Sequence, residues 1–147
     1  MKVAIGSDHG GFDLKETVAG VIRELGHEVV DKGVHDRTSV DYPDFAAKVA
    51  EAVVSGECEQ GVLICGTGIG MSIAANKVPG IRAALCNEIF SAQMAREHND
   101  ANILCLGARV VGPSVAEGIV RTYFTSNFAG GRHANRVAKL TAMDEQR

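Results

Sequence analysis

Short apolar runs alternate along the chain with longer stretches of helical periodicity. Buried parallel strands have the first pattern, and helices supply the connections between them. The alternation therefore predicts an α/β fold, a three-layer Rossmann-like or flavodoxin-like sandwich with about five parallel strands and helices on both faces. The strands are expected at Val3–Gly6, Glu28–Val30, Gly61–Cys65, Ile81–Leu85 and Ile103–Leu106.

The helical stretches carry recognisable end signals. Asp41 is a candidate N-cap, and Gly26 and Gly56 are natural helix ends because glycine adopts the left-handed conformation easily. No repeat or linker-like stretch interrupts the pattern, so residues 1–147 are expected to form a single domain. The helices are expected at Phe12–Leu25, about Tyr42 to Gly56, Ile69–Lys77, Ile89–His98, Val115 to about Phe128, and Arg132–Leu140.

Composition excludes several classes of protein. The net charge of -3 and pI near 5.9 argue against a general nucleic-acid or membrane-surface partner. No stretch approaches the ~20 apolar residues of a membrane span, and the first apolar run is too short for a signal peptide, so a cytoplasmic location is expected.

Four cysteines are widely spaced and form no Cys-x-x-Cys pair or zinc-finger pattern. We expect free thiols, with no disulfide framework and no metal site. Cys86 and Cys105 are interpreted as core residues and Cys58 as an exposed one, whereas Cys65 occupies a chemically distinctive position.

In an open parallel sheet, ligands bind beyond the carboxyl ends of the strands, where the strand order reverses. Polar chemistry concentrates after the first, third and fifth predicted strands. The segments that follow the strands are Ser7-Asp8-His9, Lys32-Gly33, Cys65–Gly70, Cys86-Asn87 and Gly107–Arg109.

The strongest signal is Cys65-Gly-Thr-Gly-Ile-Gly70, a glycine-rich turn between a buried strand and a helix. Glycines let backbone N–H groups approach a ligand, and a helix N-terminus adds positive partial charge, so an anion is expected here. Cysteines at such positions ionise more readily, which suits a base or nucleophile. Cys65 alone could be a small apolar residue ending a strand, but the glycine loop favours catalysis.

Other glycine-loop interpretations lack essential residues. A Walker A loop needs Gly-Lys-Ser/Thr, but Met71 and Ser72 follow Gly70. A Cys-x5-Arg phosphatase would need arginine at position 71. The dinucleotide fingerprint needs a different glycine spacing, although Glu88 lies at about the distance expected for a ribose contact, so this alternative stays open.

Three further groups have two interpretations each. Asp8 and His9 suit proton handling, but Asp8 could instead cap the first helix. His98 could be an ordinary helix C-terminal residue. Arg132 and Arg136 share one face of a predicted helix, which suits either a phosphate or a solvated basic surface.

Six motifs in order resemble the B-type ribose-5-phosphate isomerases, a family sometimes grouped with the galactose-6-phosphate isomerase subunits. The match runs nearly end to end and implies one sugar-phosphate isomerase domain of carbohydrate metabolism, in the pentose phosphate pathway. The motifs are Ser7-Asp8-His9-Gly10-Gly11, Asp41-Tyr42-Pro43, Cys65–Gly70, His98-Asn99-Asp100-Ala-Asn102, Leu106-Gly-Ala-Arg109 and Arg132-His133-x-x-Arg136.

The resemblance also implies roles for individual residues. Cys65 would remove the C2 proton, and Thr67 with the loop N–H groups would stabilise an enediolate. Asp8 and His98 would open the sugar ring, and no cofactor would be needed. The substrate contacts implied are the loop residues Gly66, Gly68, Ile69 and Gly70, then Tyr42 and Asn99 for the open chain, and His9, Arg109, Arg132 and Arg136 for the phosphate.

The resemblance implies a homodimer whose site is shared between subunits, with the possibility of a tetramer. His98, Asn99 and Arg109 would reach in from the partner. One branch of the family uses serine and a nearby glutamate in place of the cysteine. This chain has Cys65 and no carboxylate between Cys65 and Glu88, so it follows the cysteine branch.

The expected function is metal-independent interconversion of ribose 5-phosphate and ribulose 5-phosphate through an enediolate. One alternative is the same chemistry on allose 6-phosphate, galactose 6-phosphate or a four-carbon sugar phosphate. Another is a non-catalytic phosphate- or nucleotide-binding module of flavodoxin-like fold. That module would leave the joint presence of Cys65, Asp8 and His98 unexplained.

Overall fold

The computed structural model describes residues 1–145, in which strands and helices alternate as the sequence predicts. β4 is shorter than expected, because Ile81 and Arg82 precede it, and the last helix extends beyond Leu140. The elements are β1 Lys2–Ser7, α1 Phe12–Glu24, β2 Glu28–Asp31, α2 Tyr42–Val54, β3 Gln60–Cys65, α3 Ile69–Ala75, β4 Ala83–Leu85, α4 Ile89–Glu97, β5 Ile103–Gly107, α5 Pro113–Thr125 and α6 Arg132–Asp144.

The strands form one parallel sheet in the order β2-β1-β3-β5-β4. The chain leaves β1 towards β2 and then crosses to β3 on the other side, so the strand order reverses between β1 and β3. Ser7 pairs with Ile64, and Cys65 pairs with Gly107. The segments after Ser7 and Cys65 therefore flank the place where open α/β sheets bind ligands.

Each face of the sheet has its own apolar cluster, which confirms the three-layer α/β fold. α1, α4 and α5 cover one face, and α2 and α3 cover the other. β3 is buried along its whole length. Because successive side chains of a strand alternate between faces, Ile64 points towards α1 and α5, whereas Cys65 points towards α2 and α3.

The prediction that Cys58 is exposed is wrong. Its side chain is only 1% exposed and packs in the α2–α3 cluster. Burial, followed by the Glu57 charge, raises the pKa of this thiol. Cys86 and Cys105 are buried as expected, and burial raises the pKa of Cys86 to about 11 and that of Cys105 still further.

Helix ends follow the sequence signals with one exception. Gly26 and Gly56 adopt positive φ angles of 90° and 84°, which glycine tolerates at a helix end. Asp41 occupies the N-cap position of α2, but its side chain makes no capping hydrogen bond. No helix among residues 1–145 is long and apolar enough to cross a membrane.

α6 lies outside both apolar clusters. None of its residues is buried, and Leu140 and Met143 are exposed. Its C-terminal end is attached where Gly80 N–H donates to Asp144 Oδ2 at 2.8 Å. This amphipathic helix therefore presents apolar side chains that the chain itself does not cover.

Two glycines provide a matched test of the packing. A Cβ at Gly61 in β3 would lie 2.6 Å from Val49 Cγ1, whereas a Cβ at Gly20 on α1 meets nothing within 4 Å. We expect Gly61→Ala to lower the free energy of unfolding by ~1–3 kcal/mol through overpacking. Gly20→Ala should raise it by ~0.5–1 kcal/mol, because alanine favours the helix.

Urea denaturation of both variants at one fixed protein concentration measures the difference. Equal stabilities of Gly61→Ala and the wild type would contradict the close approach of β3 to α2.

Candidate active site

The loop after β3 wraps around the sulfur of Cys65. The Gly68 N–H donates a hydrogen bond to Cys65 Sγ at 3.1 Å and thereby orients the sulfur. Gly68 has a φ of 79°, and a Cβ there would lie 2.5 Å from Leu85 Cδ1 and 2.8 Å from the carbonyl carbon of Leu106. Only glycine fits this position.

β5 holds the loop from the other side. Ala108 N–H donates to Cys65 O, and Arg109 N–H donates to Gly66 O, both at 2.9 Å. At Gly107 a Cβ would come within 2.5 Å of Thr67 O. The Gly107 N–H in turn donates to Asn87 Oδ1 at 3.0 Å.

Sequence reasoning missed the supporting roles of Gly107 and Asn87. Both stand directly at strand ends, which was the available signal. Arg109 was expected from the partner subunit, but its backbone lies beside the Cys65 loop of its own chain.

Asp8 lies on the β1 side of the loop. Its N–H donates to Ile64 O at 3.3 Å, and its Oδ1 accepts from Gly11 N–H at 3.0 Å. Gly11, not Asp8, occupies the N-cap position of α1, whereas the Asp8 carboxylate caps the turn that leads into this helix. A Cβ at Gly10 would lie 3.4 Å from Gly66 N, so the Asp8 turn and the Cys65 loop are in close proximity.

His9 and Tyr42 border the same region. Val40 N–H donates to His9 Nδ1 at 3.2 Å, so a neutral His9 carries its proton on Nε2 and can donate from there. The Tyr42 ring covers Gly70, where a Cβ would lie 2.6 Å from Tyr42 Cε1. Thr67 is exposed, and its Oγ1 accepts from Ile69 N–H at 3.2 Å.

These residues form what we call the carboxyl-edge group. It consists of Asp8, His9, Tyr42, Cys65, Gly66, Thr67, Gly68, Ile69, Gly70 and Arg109.

The remaining predicted residues lie elsewhere. His98 ends α4, and its ring stacks on that of His133, with 4.0 Å between centroids and 11° between planes. His133 lies in the first turn of α6, next to Arg132. Asn99 is exposed and borders a cavity of about 420 Å³ between β4 and α6.

We call His98, Asn99, Arg132 and Arg136 the amino-edge group. Partial desolvation of the ring, followed by the charges of His98, Arg132 and Arg136, lowers the pKa of His133 beside them. A lowered pKa keeps His133 neutral at physiological pH.

The two groups occupy opposite edges of the sheet. The turn after His98 meets the beginning of β3, where Gly61 N–H donates to Asn102 O at 2.9 Å, whereas Cys65 ends that strand. The four residue steps from Gly61 to Cys65 span roughly 13 Å, at about 3.3 Å per residue. A single chain therefore does not bring Cys65 and His98 together.

An ion pair between the buried Lys15 and the exposed Asp31, behind the carboxyl-edge group, was also missed. Lys15 Nζ lies 2.9 Å from Asp31 Oδ1 and also donates to Val34 O. Asp31 Oδ1 accepts from Gly33 N–H as well, and Gly33 O accepts from Ser7 N–H. This clamp fixes the segment beside Ser7, and a lysine on the inward face of α1 was the signal for it.

The dinucleotide-binding alternative does not fit this topology. β4, which precedes Glu88, is separated from β3 by β5. Glu88 instead caps α4, with Oε1 accepting from Ser91 N–H at 2.8 Å. Among residues 1–145, no three His, Cys, Asp or Glu side chains lie together in a way that could hold a metal ion.

Comparison with known proteins agrees with the motif resemblance. The family model described as Ribose/Galactose Isomerase matches residues 3–140. Ribose-5-phosphate isomerase B of Escherichia coli is 49% identical over 146 residues, which cover 99% of this chain and 98% of the relative. D-erythrulose-4-phosphate isomerase of Pectobacterium atrosepticum is 43% identical over 148 residues, covering 99% of this chain and 97% of the relative.

The solved structure of ribose-5-phosphate isomerase B from Clostridium thermocellum has a TM-score of 0.97 and 59% sequence identity, with 99% of each chain covered. Both the sequence and the fold therefore match along nearly the full length. The chain belongs to the ribose/galactose isomerase family.

Proposed function

We propose that the chain interconverts ribose 5-phosphate and ribulose 5-phosphate, with Cys65 as the base. The observation that carries the proposal is the placement of Cys65 Sγ at the β1–β3 switch point. There it accepts the Gly68 N–H and lies next to the Asp8 turn. Family membership supplies the reaction class, an aldose–ketose isomerisation of a sugar phosphate.

The proposed reaction moves one proton between two carbons. Cys65, as thiolate, takes the C2 proton of the open-chain aldose and later delivers it to C1, while a hydroxyl proton moves from O2 to O1. The negative charge that develops on the enediolate oxygen would be stabilised by Thr67 and by N–H groups of the glycine loop. The steps balance without an oxidant, a metal ion or a cofactor.

The remaining residues would bind and open the sugar. The Asp8 turn lies close to the loop, and the Asp8 carboxyl, with His98, would transfer protons during ring opening. Tyr42 and Asn99 would hold the open chain. His9 can donate from Nε2, which suits a phosphate oxygen, and Arg109, Arg132 and Arg136 add positive charge.

A site shared between two copies of the chain would resolve the separation of the two groups. The carboxyl-edge group holds the base, whereas the amino-edge group holds His98 and two of the arginines. In a two-fold dimer, each copy could offer its amino edge to the carboxyl edge of the other. We therefore propose a homodimer with two such sites, and a tetramer as a further pairing.

Exposed apolar surface supports association with a second copy. Ile69 and Ile73, one turn apart on α3, are 51% and 58% exposed beside the Cys65 loop, and Leu85 lies against Gly68. Apolar patches next to a polar site are typical of interfaces. The uncovered Leu140 and Met143 on α6 offer a second apolar surface near the amino-edge group.

The second candidate function is the same chemistry on another sugar phosphate. The similarity to D-erythrulose-4-phosphate isomerase favours this alternative, because that relative matches nearly the full chain. Allose 6-phosphate and galactose 6-phosphate remain further candidates. The expected location in the cytoplasm stays a prediction.

Turnover of four substrates in the presence of EDTA separates these candidates. Ribose 5-phosphate should give the highest kcat/KM against allose 6-phosphate, galactose 6-phosphate and D-erythrulose 4-phosphate, and EDTA should leave the rate unchanged. A higher kcat/KM for another sugar phosphate would identify that compound, and not ribose 5-phosphate, as the substrate. Ligand binding without turnover of any sugar would favour the non-catalytic module.

Replacement of the base tests the mechanism. Cys65→Ala should lower kcat by ~10²–10⁴-fold, because a positioned acid–base group contributes about that much. Cys58→Ala removes a buried thiol at the other end of β3 and should leave kcat within about twofold of the wild type. Steady-state kinetics on ribose 5-phosphate measures both; wild-type kcat in Cys65→Ala would refute the assignment.

Removal of the arginines tests phosphate binding. Arg132→Ala and Arg136→Ala should each raise KM for ribose 5-phosphate by ~10–100-fold, since a charge-assisted contact is worth about 1.5–3 kcal/mol. Arg121→Ala is the matched control, because Arg121 is exposed and pairs with Glu24 on α1. Unchanged KM in both α6 variants would assign these arginines to a solvated surface.

A further inference from the structure

Asp100 has an unusual backbone conformation directly after His98 and Asn99. Its φ is 47°, and it is the single non-glycine residue with positive φ among those that the structure describes. Aspartate and asparagine tolerate this left-handed region better than most residues, yet the conformation needs support from its surroundings. The family-like motif contains Asp100, but the proposed chemistry gives it no role.

Two arginines from different elements hold the Asp100 carboxylate. Arg96 Nη1, from α4, donates to Asp100 Oδ1 at 3.0 Å. Arg82 Nη2, from the segment before β4, lies 3.5 Å from Asp100 Oδ2, and Arg82 Nε donates to Asp100 O at 2.9 Å. All three side chains are largely shielded from water, with exposures of 34% for Asp100 and 15% and 25% for the arginines.

The Arg82–Asp100–Arg96 cluster is attached to the apolar core. Arg96 stacks over the ring of Tyr123, with 5.7 Å from Cζ to the centroid, and Tyr123 is 1% exposed. The Tyr123 hydroxyl and Arg96 Nη1 both donate to Ala101 O, at 2.8 and 2.5 Å. The residue after Asp100 is therefore fixed to the same buried tyrosine.

Asn102 fixes the far end of the turn. Its Oδ1 accepts from Arg82 N–H at 2.7 Å, and its Nδ2 donates to Gly80 O at 2.9 Å. A short turn with both ends anchored and a left-handed residue in the middle has little freedom. Asn99 itself is exposed and projects from this fixed turn.

We propose that Asp100 is a positioning residue whose carboxylate, held between Arg82 and Arg96, fixes the turn that presents His98 and Asn99 to the site of a second copy. This proposal rests on the proposed function and on its subunit-shared site. Asp100 does not touch substrate. Its effect on catalysis passes through the placement of the amino-edge group, for which a displacement of about 1 Å can cost ~10²-fold in rate.

Two substitutions at Asp100 separate the effect of its backbone conformation from the effect of its carboxylate charge. Asp100→Gly keeps the left-handed conformation and removes the carboxylate, and should lower kcat/KM by ~10–100-fold. Asp100→Asn keeps the size and one oxygen but loses the charge, and should recover part of that loss. Glu24→Gln, which neutralises a carboxylate paired with an arginine on the far side of α1, should leave kcat/KM unchanged.

Hybrid dimers provide the test that a merely structural role would not pass. A chain that carries Cys65→Ala and a chain that carries Asp100→Gly, each with its own affinity tag, are co-expressed, and the hybrid dimer is purified through both tags. One of the two shared sites in this hybrid combines an intact Cys65 with an intact Asp100 turn from the other copy. The hybrid should regain about half of the wild-type kcat/KM, well above either parent.

The controls make the outcomes distinct. A hybrid of a Cys65→Ala chain with a His98→Ala chain should regain activity in the same way. A hybrid of a Cys65→Ala chain with a Thr67→Ala chain should not, because Cys65 and Thr67 both belong to the carboxyl-edge group and no site then has both intact. Complementation by His98→Ala but not by Asp100→Gly would overturn the positioning role and leave the shared site intact. If neither the His98→Ala hybrid nor the Asp100→Gly hybrid regains activity, both the shared site and the positioning role of Asp100 are overturned. A wild type that is inactive on ribose 5-phosphate would instead overturn the proposed function.

Discussion

The close approach of β5 to the loop after β3 is the constraint on which the site depends. Gly68 fits against Leu106, and Gly107 fits against Thr67, at distances that admit no side chain. The Ala108 N–H donates to Cys65 O and the Arg109 N–H donates to Gly66 O, which holds the end of β5 against the same loop. Because this packing turns the Gly68 N–H onto Cys65 Sγ, the position of the sulfur follows from the sheet rather than from a flexible loop.

The same sheet separates the residues that the reaction would combine. In a parallel sheet the carboxyl ends of the strands lie at one edge, and a helix that leads into the next strand ends at the opposite edge, so a residue that closes α4 cannot meet a residue that ends β3. The proposed association of two copies would remove this restriction without any change in the strands. The exposed apolar side chains beside both groups are consistent with such an association.

Much of the fold and part of the site could be predicted from local sequence patterns. Alternating apolar runs and helix-end glycines located the strands and helices, and strand-end polar residues located Cys65 and Asp8. Contacts between distant elements could not be predicted. The burial of Cys58 and the Arg82–Asp100–Arg96 cluster depend on which helix packs where, and no local pattern encodes that. Lys15 on the inward face of α1 was a local signal, but nothing in the sequence identified Asp31 as its partner.

The fate of the C2 proton tests the central claim most directly. Ribose 5-phosphate is converted in D2O, and the deuterium at C1 of ribulose 5-phosphate and at C2 of recovered ribose 5-phosphate is measured by NMR. Because the proton on the Cys65 thiol can exchange with solvent before it is returned to carbon, we predict that deuterium enters both positions with the wild type and that Cys65→Ala abolishes the exchange. Undiminished solvent exchange at C2 in Cys65→Ala would contradict a Cys65 thiolate that carries the proton through an enediolate.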